Sequence, residues 1–285
     1  MSAKAILNSL SLPKKCALIA LPLLVAFGFL FQQMYVQVNA LISSSQNELA
    51  GAETLEKLNP LFQAMLAARA NKQQESTGEL VSSLRNLKSE LPISWPNTQA
   101  NLDKLVELLP QSLSQNASSE QADALGEHMV TLVRQLADES ELTLDPFLPS
   151  YYMMSPMAFQ LPGVMEYLSD LEGKLRFQGS DVTGTLSFTK SRIGTLKRAL
   201  AEIREAKDKS IAAGGQIPAS AGAQLEAMAQ QLNALSAWVD TQSAKDLNYE
   251  ILTGSPDAIK NLADVTAASF SLSKRLNTTL QDDLK

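Results

Sequence analysis

The side chains in this sequence best suited to chemistry bind rather than react. Arg69 falls near the apolar face of one helical stretch and Arg85 stands on the next. A guanidinium turned toward a pocket between helices recognises a carboxylate through two parallel hydrogen bonds. The plainer reading of each arginine is a solvated or ion-paired surface charge. Tyr151 and Tyr152 carry an apolar ring and a polar tip. They could line such a pocket, or divide between core and surface. Arg69, Arg85, Tyr151 and Tyr152 are therefore the candidate ligand-binding residues, and Met153, Met154, Met157 and Met165 read as core filling.

Groups that make and break bonds are scarce. His128 is the only histidine, which excludes a multi-histidine metal site and suggests a structural role. The only cysteine, Cys16, lies in an apolar stretch far from it, so no intramolecular disulfide forms and a Cys–His pair is excluded. Gly214-Gly215 is not followed by Lys-Ser or Lys-Thr, so it reads as a hinge between helices and not as a phosphate loop. No Gly-x-Ser-x-Gly elbow is present. Asp282-Asp283 reads as surface charge. The expectation is a non-enzyme with no cofactor and no metal.

A binding site of this kind needs helices to hold it, and the pattern supplies them. Ala, Leu, Ser, Gln and Glu dominate and aromatics make up only 6%, a composition of long amphipathic helices. From Leu49 through Ala52, Leu55, Leu58 and Met65, apolar residues recur every three or four positions. Pro60 should bend this helix. Further helices are expected from about Gly78 to Glu90, Thr98 to Ser114, Glu120 to Glu141, Tyr151 to Phe177, Val182 to Ile211 and Ser220 to Leu247. A last one begins at Pro256, with Ser255 as its N-cap. Pro110 and Pro162 should kink or end theirs. Leu144-Asp145-Pro146-Phe147-Leu148-Pro149 is a sharp break, because two prolines within four residues stop a helix. No strand-period run occurs. The fold class is all-α: short connections make neighbours antiparallel, in a four-helix type bundle or two stacked bundles, with the first and last helices adjacent.

One stretch differs from all others. Cys16 to Asn47 contains no charged residue, and Cys16–Val38 exceeds the roughly 20 apolar residues that span a bilayer. Lys4, Lys14 and Lys15 precede it, and the first acid is Glu48. By the positive-inside rule residues 1–15 stay in the cytoplasm, 16–38 cross, and 39–285 are exported. Val38-Asn39-Ala40 would pass as a signal-peptide cleavage site, but it lies far beyond Phe31. Lys14-Lys15 argues against a lipoprotein signal at Cys16. Three of the 24 basic residues precede the anchor, and the other 21 face 30 acidic ones. An exported module this acidic does not suggest nucleic acid or anionic lipid as a partner.

Two stretches resemble proteobacterial chemoreceptors. Glu48, Gly51, Leu55, Leu58, Pro60, Leu61 and Arg69 match the family's segment after its first membrane helix. Leu144, Asp145, Pro146, Leu148, Ser150, Tyr151 and Tyr152 match its run into a new helix, and Leu161-Pro162 also fits. The resemblance implies the periplasmic helical-bundle sensor module of a methyl-accepting chemotaxis protein. It would be held in the inner membrane by one N-terminal helix and act as a homodimer that binds a small molecule such as an organic acid or amino acid. A ligand would shift the last helix against the first and so signal across the membrane. The expected chain is the front part of a longer receptor, truncated before a second membrane helix. Two alternatives stand: the sensor module of a histidine kinase or diguanylate cyclase, and, from another class, a single-anchor structural protein of the envelope with a solvated last helix and no pocket.

Overall fold

The computed structural model describes residues 11–71, 74–114, 116–144, 147–177, 182–243 and 256–284. Asp145, Pro146 and the expected cap Ser255 lie outside them. The fold is all-α, with no strand among the described residues. Helix α1 spans Leu12–Asn71. It is followed by α2 (Thr77–Glu90), α3 (Pro96–Ser112), α4 (Ser119–Glu139), α5 (Leu148–Ser155), α6 (Leu161–Phe177), α7 (Val182–Ala212), α8 (Ala219–Ser243) and α9 (Pro256–Leu284). The chain divides into two compact units, Met1–Gln46 and Asn47–Lys285.

The first unit holds the apolar part of α1, a helix long and apolar enough to cross a membrane. Its large side chains, among them Leu24, Phe27, Phe31 and Tyr35, are exposed all along it. Lipid tails suit such a surface, because a helix satisfies its own backbone hydrogen bonds in a medium without water. This segment is a candidate membrane anchor.

In the second unit one continuous core joins two antiparallel sets of helices that run alongside each other. The first set is α1 from Asn47 onward with α2, α3 and α4. Lys57 pairs with Glu90 across α1 and α2 at 2.7 Å, and Lys88 with Asp103 across α2 and α3 at 2.6 Å. The second set is α5–α6 with α7, α8 and α9. Asp170 faces Arg192 across α6 and α7, and Gln224 donates to Ser271 across α8 and α9 at 2.6 Å. Helix α1 is common to both. Ser169 of α6 donates to the Leu66 carbonyl at 3.0 Å, and Asn277 of α9 donates to the Ala52 carbonyl at 2.9 Å. The first and last helices are thus adjacent and antiparallel, as the sequence pattern leads one to expect.

Local chemistry explains the helix ends. Ser118 and Gln121 form a reciprocal capping box at the start of α4. Trp95, at the start of α3, has no side-chain acceptor to offer. Glu139, the last residue of α4, supplies one instead: it accepts from the amides of Asn97 and Thr98 and from the Thr98 hydroxyl, at 2.7–2.8 Å. Gly214-Gly215 is a helix stop: Gly214 has φ +98°, its amide bonds back to Ile211, and the Gly215 amide bonds to the Ser210 carbonyl at 2.8 Å. Pro110 does not end α3, which runs on to Ser112. The break expected at Pro162 falls one turn earlier. Pro156–Gln160 is a turn of π-helix, closed by the Leu161 amide donating to the Pro156 carbonyl. Neither Pro156 nor Pro162 can donate, and widening the turn between them accommodates both.

Candidate functional site

Helices α1 and α9 enclose a half-open cavity of about 470 Å³, to which α4, the π-turn and α6 add side chains. The volume lies within the range of small-molecule sites. Phe62, Met157, Met165 and Phe270 form its buried wall. The rings of Phe62 and Phe270 meet edge to face at 6.4 Å. Glu56, Pro60, Gln63 and Lys274 stand at the exposed mouth. Pro60 has no amide hydrogen, so the helical bond it would make to the Glu56 carbonyl is missing at the edge of the site.

Polar groups on the two main walls are tied across the seam. Asn59 donates to the Phe270 carbonyl at 3.4 Å, and Gln281 donates to Glu56 at 3.0 Å and to the Ala52 carbonyl at 3.3 Å. Asn277 uses its amide nitrogen on Ala52, while its Oδ1 is buried with no hydrogen-bond partner among the described residues. Lys274 enters no ion pair among the described residues. The mouth therefore offers one carboxylate, one ammonium and several amides above an apolar wall. That arrangement suits reversible binding of a small molecule with both polar and apolar parts. No group of three or more His, Cys, Asp or Glu side chains among the described residues could hold a metal.

The four residues singled out from sequence lie elsewhere, and none of them lines this cavity. Arg69 is buried, 7% exposed, in an ion pair with Glu166 at 3.1 Å. Its Nη1 also donates to the Ala122 carbonyl at 3.2 Å, and its Nη2 to the Glu166 carbonyl at 3.1 Å. Gly126 of α4 makes room: a Cβ there would collide with Arg69 Nη1 and the Glu166 side chain. Burial pushes the Glu166 carboxyl above its ordinary value, and the Arg69 charge offsets this only in part. Arg69 also borders a smaller cleft of about 160 Å³, but both its terminal nitrogens already donate to Glu166 or Ala122. Arg85 is exposed on α2.

Tyr151 and Tyr152 do come together, ring edge to ring face at 5.7 Å. Tyr152 borders a void of about 10 Å³, room for one water at most. Tyr151 is largely at the surface. His128 is half-buried, with Nδ1 and Asn101 Oδ1 2.7 Å apart and Asn101 Nδ2 donating to the His128 carbonyl at 2.9 Å, a structural clasp between α3 and α4.

Sequence reasoning did not pick out Asn59, Lys274 and Asn277. A signal was available on α9, where Asn277 and Gln281, four apart, put amides beside the apolar stripe of Leu272, Leu276 and Leu280. The chain matches no protein-family model, no curated protein and no solved structure.

Proposed function

We propose that the second unit is the ligand-sensing module of a transmembrane receptor of chemoreceptor type, and that its small-molecule site is the cavity between α1 and α9. The observation that carries this reading is the placement of that cavity. Its walls are the helix that continues from the candidate anchor and the last helix of the chain. A ligand held there touches both, so it favours one packing of α9 on α1 over another. The signal it generates is bounded by its difference in affinity for the two packings. In this reading the module stands on the extracytoplasmic side, in agreement with the basic residues before the anchor. The packed α9 and the cavity beside it favour a sensor over a structural envelope protein, for which a solvated last helix and no pocket are expected.

The test is a thermal-shift screen of the detergent-solubilised full chain against organic acids, amino acids and polyamines. A ligand at 100 times its Kd should stabilise the fold by about 2.7 kcal/mol, a rise of several degrees. Ala267 is an exposed residue at the cavity, so Ala267→Phe should block the site without disturbing the core. Hits from one chemical class that lose their shift in Ala267→Phe support the reading. A folded chain with no hit, or hits indifferent to Ala267→Phe, overturns it.

A further inference from the structure

The large apolar side chains that the second unit exposes are not scattered. Ile93 (94% exposed), Leu144 (71%), Phe147, Leu148 (58%), Tyr151 and Ile211 gather at one end, and among the described residues only Phe159 stands apart. Hydrogen bonds and close contacts fix which end this is. Asn47, where the unit begins, donates to the Glu139 carbonyl at 3.1 Å and accepts from Trp95 Nε1 at 3.2 Å. The loop carrying Ile93 and the end of α4 therefore meet at Asn47. Leu142 follows beside Gly51, where a Cβ would lie 3.1 Å from its Cδ1, and Leu144 closes that turn. Ser210 donates to the Pro149 carbonyl at 2.9 Å, which brings the end of α7 and Ile211 to the start of α5.

The candidate anchor runs into this end of the second unit through a short stretch of chain. Ile42, the last of the exposed apolar residues of the candidate anchor, precedes Asn47 by five residues. Five residues span at most about 18 Å however the backbone runs. We infer that the Asn47 end of the second unit is a lipid-contacting surface, with Leu144, Leu148, Tyr151 and Ile211 seated in the interface of the membrane that holds the anchor. Exposed large apolar side chains gathered at one end suit an interaction surface, and a tyrosine among aliphatic residues suits the headgroup boundary. Attraction to anionic headgroups contributes little: nearby Lys209 is already paired with Glu205 at 2.7 Å, so binding rests on apolar burial. The inference depends on α1 being a membrane anchor and is independent of the cavity.

The test uses the full chain with Cys16→Ser, reconstituted in phosphatidylcholine vesicles and spin-labelled at one introduced cysteine at a time. Leu148→Cys and Ile211→Cys report the patch, Val36→Cys the anchor, and Ser119→Cys the far end of α4, about 30 Å along that helix from Glu139. All four positions are exposed, so the labels should not disturb the core. Collision with oxygen relative to a water-soluble nickel complex should be several-fold higher at 148 and 211 than at 119, approaching the value at 36. Labels at 148 and 211 that behave like the one at 119, while 36 stays in lipid, overturn the inference. Labels shielded from both reagents and broadened by a neighbouring spin would show that a second copy covers the patch, which also overturns it. A water-exposed label at 36 overturns the anchor and this inference together.

Discussion

Arg69 and Glu166 form a buried ion pair, 3.1 Å apart, that joins α1 to α6 through the space left by Gly126. A residue type suited to recognising a ligand carboxylate thus holds one inside its own fold. Arg69→Met would strand Glu166 and should cost about 3–5 kcal/mol in a urea unfolding curve. Adding Glu166→Met should restore most of that, because an apolar pair of similar size avoids both desolvation costs. Exposed Arg85→Ala should change stability by no more than about 0.5 kcal/mol.

Glu166 and Glu139 should respond to pH in opposite senses. Burial raises the Glu166 carboxyl, so its contribution to stability is complete below the ordinary carboxylate value and is lost as the pH rises through its raised one. For Glu139, burial also pushes upward, but the donors from Thr98 and Asn97 together outweigh it and hold the carboxyl below its ordinary value. Its contribution is present above the ordinary value and is lost as the pH falls through the lowered one. Melting curves from pH 7 down to pH 3 should show Glu166→Gln losing stability relative to the parent chain as the pH falls toward the ordinary carboxylate range, and Glu139→Gln gaining on it in the more acid part.

Glu139 should matter for α3 more than for its own helix. A carboxylate at the C-terminus of α4 opposes that helix's dipole, yet the same group faces the N-terminus of α3, where the dipole favours it. Glu139→Ala removes the side-chain acceptor at that helix start and should cost about 1–2 kcal/mol. Amide exchange at Asn97 and Thr98 should quicken, and an unchanged exchange rate there would refute the capping role.

Two amides of α9, those of Asn277 and Gln281, donate to one carbonyl of α1, that of Ala52. Each single change to Ala should cost about 1 kcal/mol, the net value of such a bond. Because they share an acceptor, the double variant should cost measurably less or more than the sum of the two. Strict additivity in a double-mutant cycle would show that they act independently.

Much of the architecture was legible in the sequence, because helix formation here follows from local periodicity and local breakers. Leu80, Leu84 and Leu87 predict the buried face of α2, and all three are buried. Pro256 opens α9 as its fixed φ favours, and the apolar, uncharged run after Cys16 marks the candidate anchor by length alone. Tertiary structure decided the rest. The sequence pattern left one bundle or two stacked bundles open, and only the contacts of α1 with both α6 and α9 set the two groups of helices side by side. Whether Arg69 faces a ligand or a carboxylate of the fold depends on Glu166, 97 residues away, and on the space at Gly126. The cavity is likewise non-local. It exists where Pro60 of α1, the π-turn before Pro162 and the amides of α9 meet, and no one of these segments encodes the space left between them.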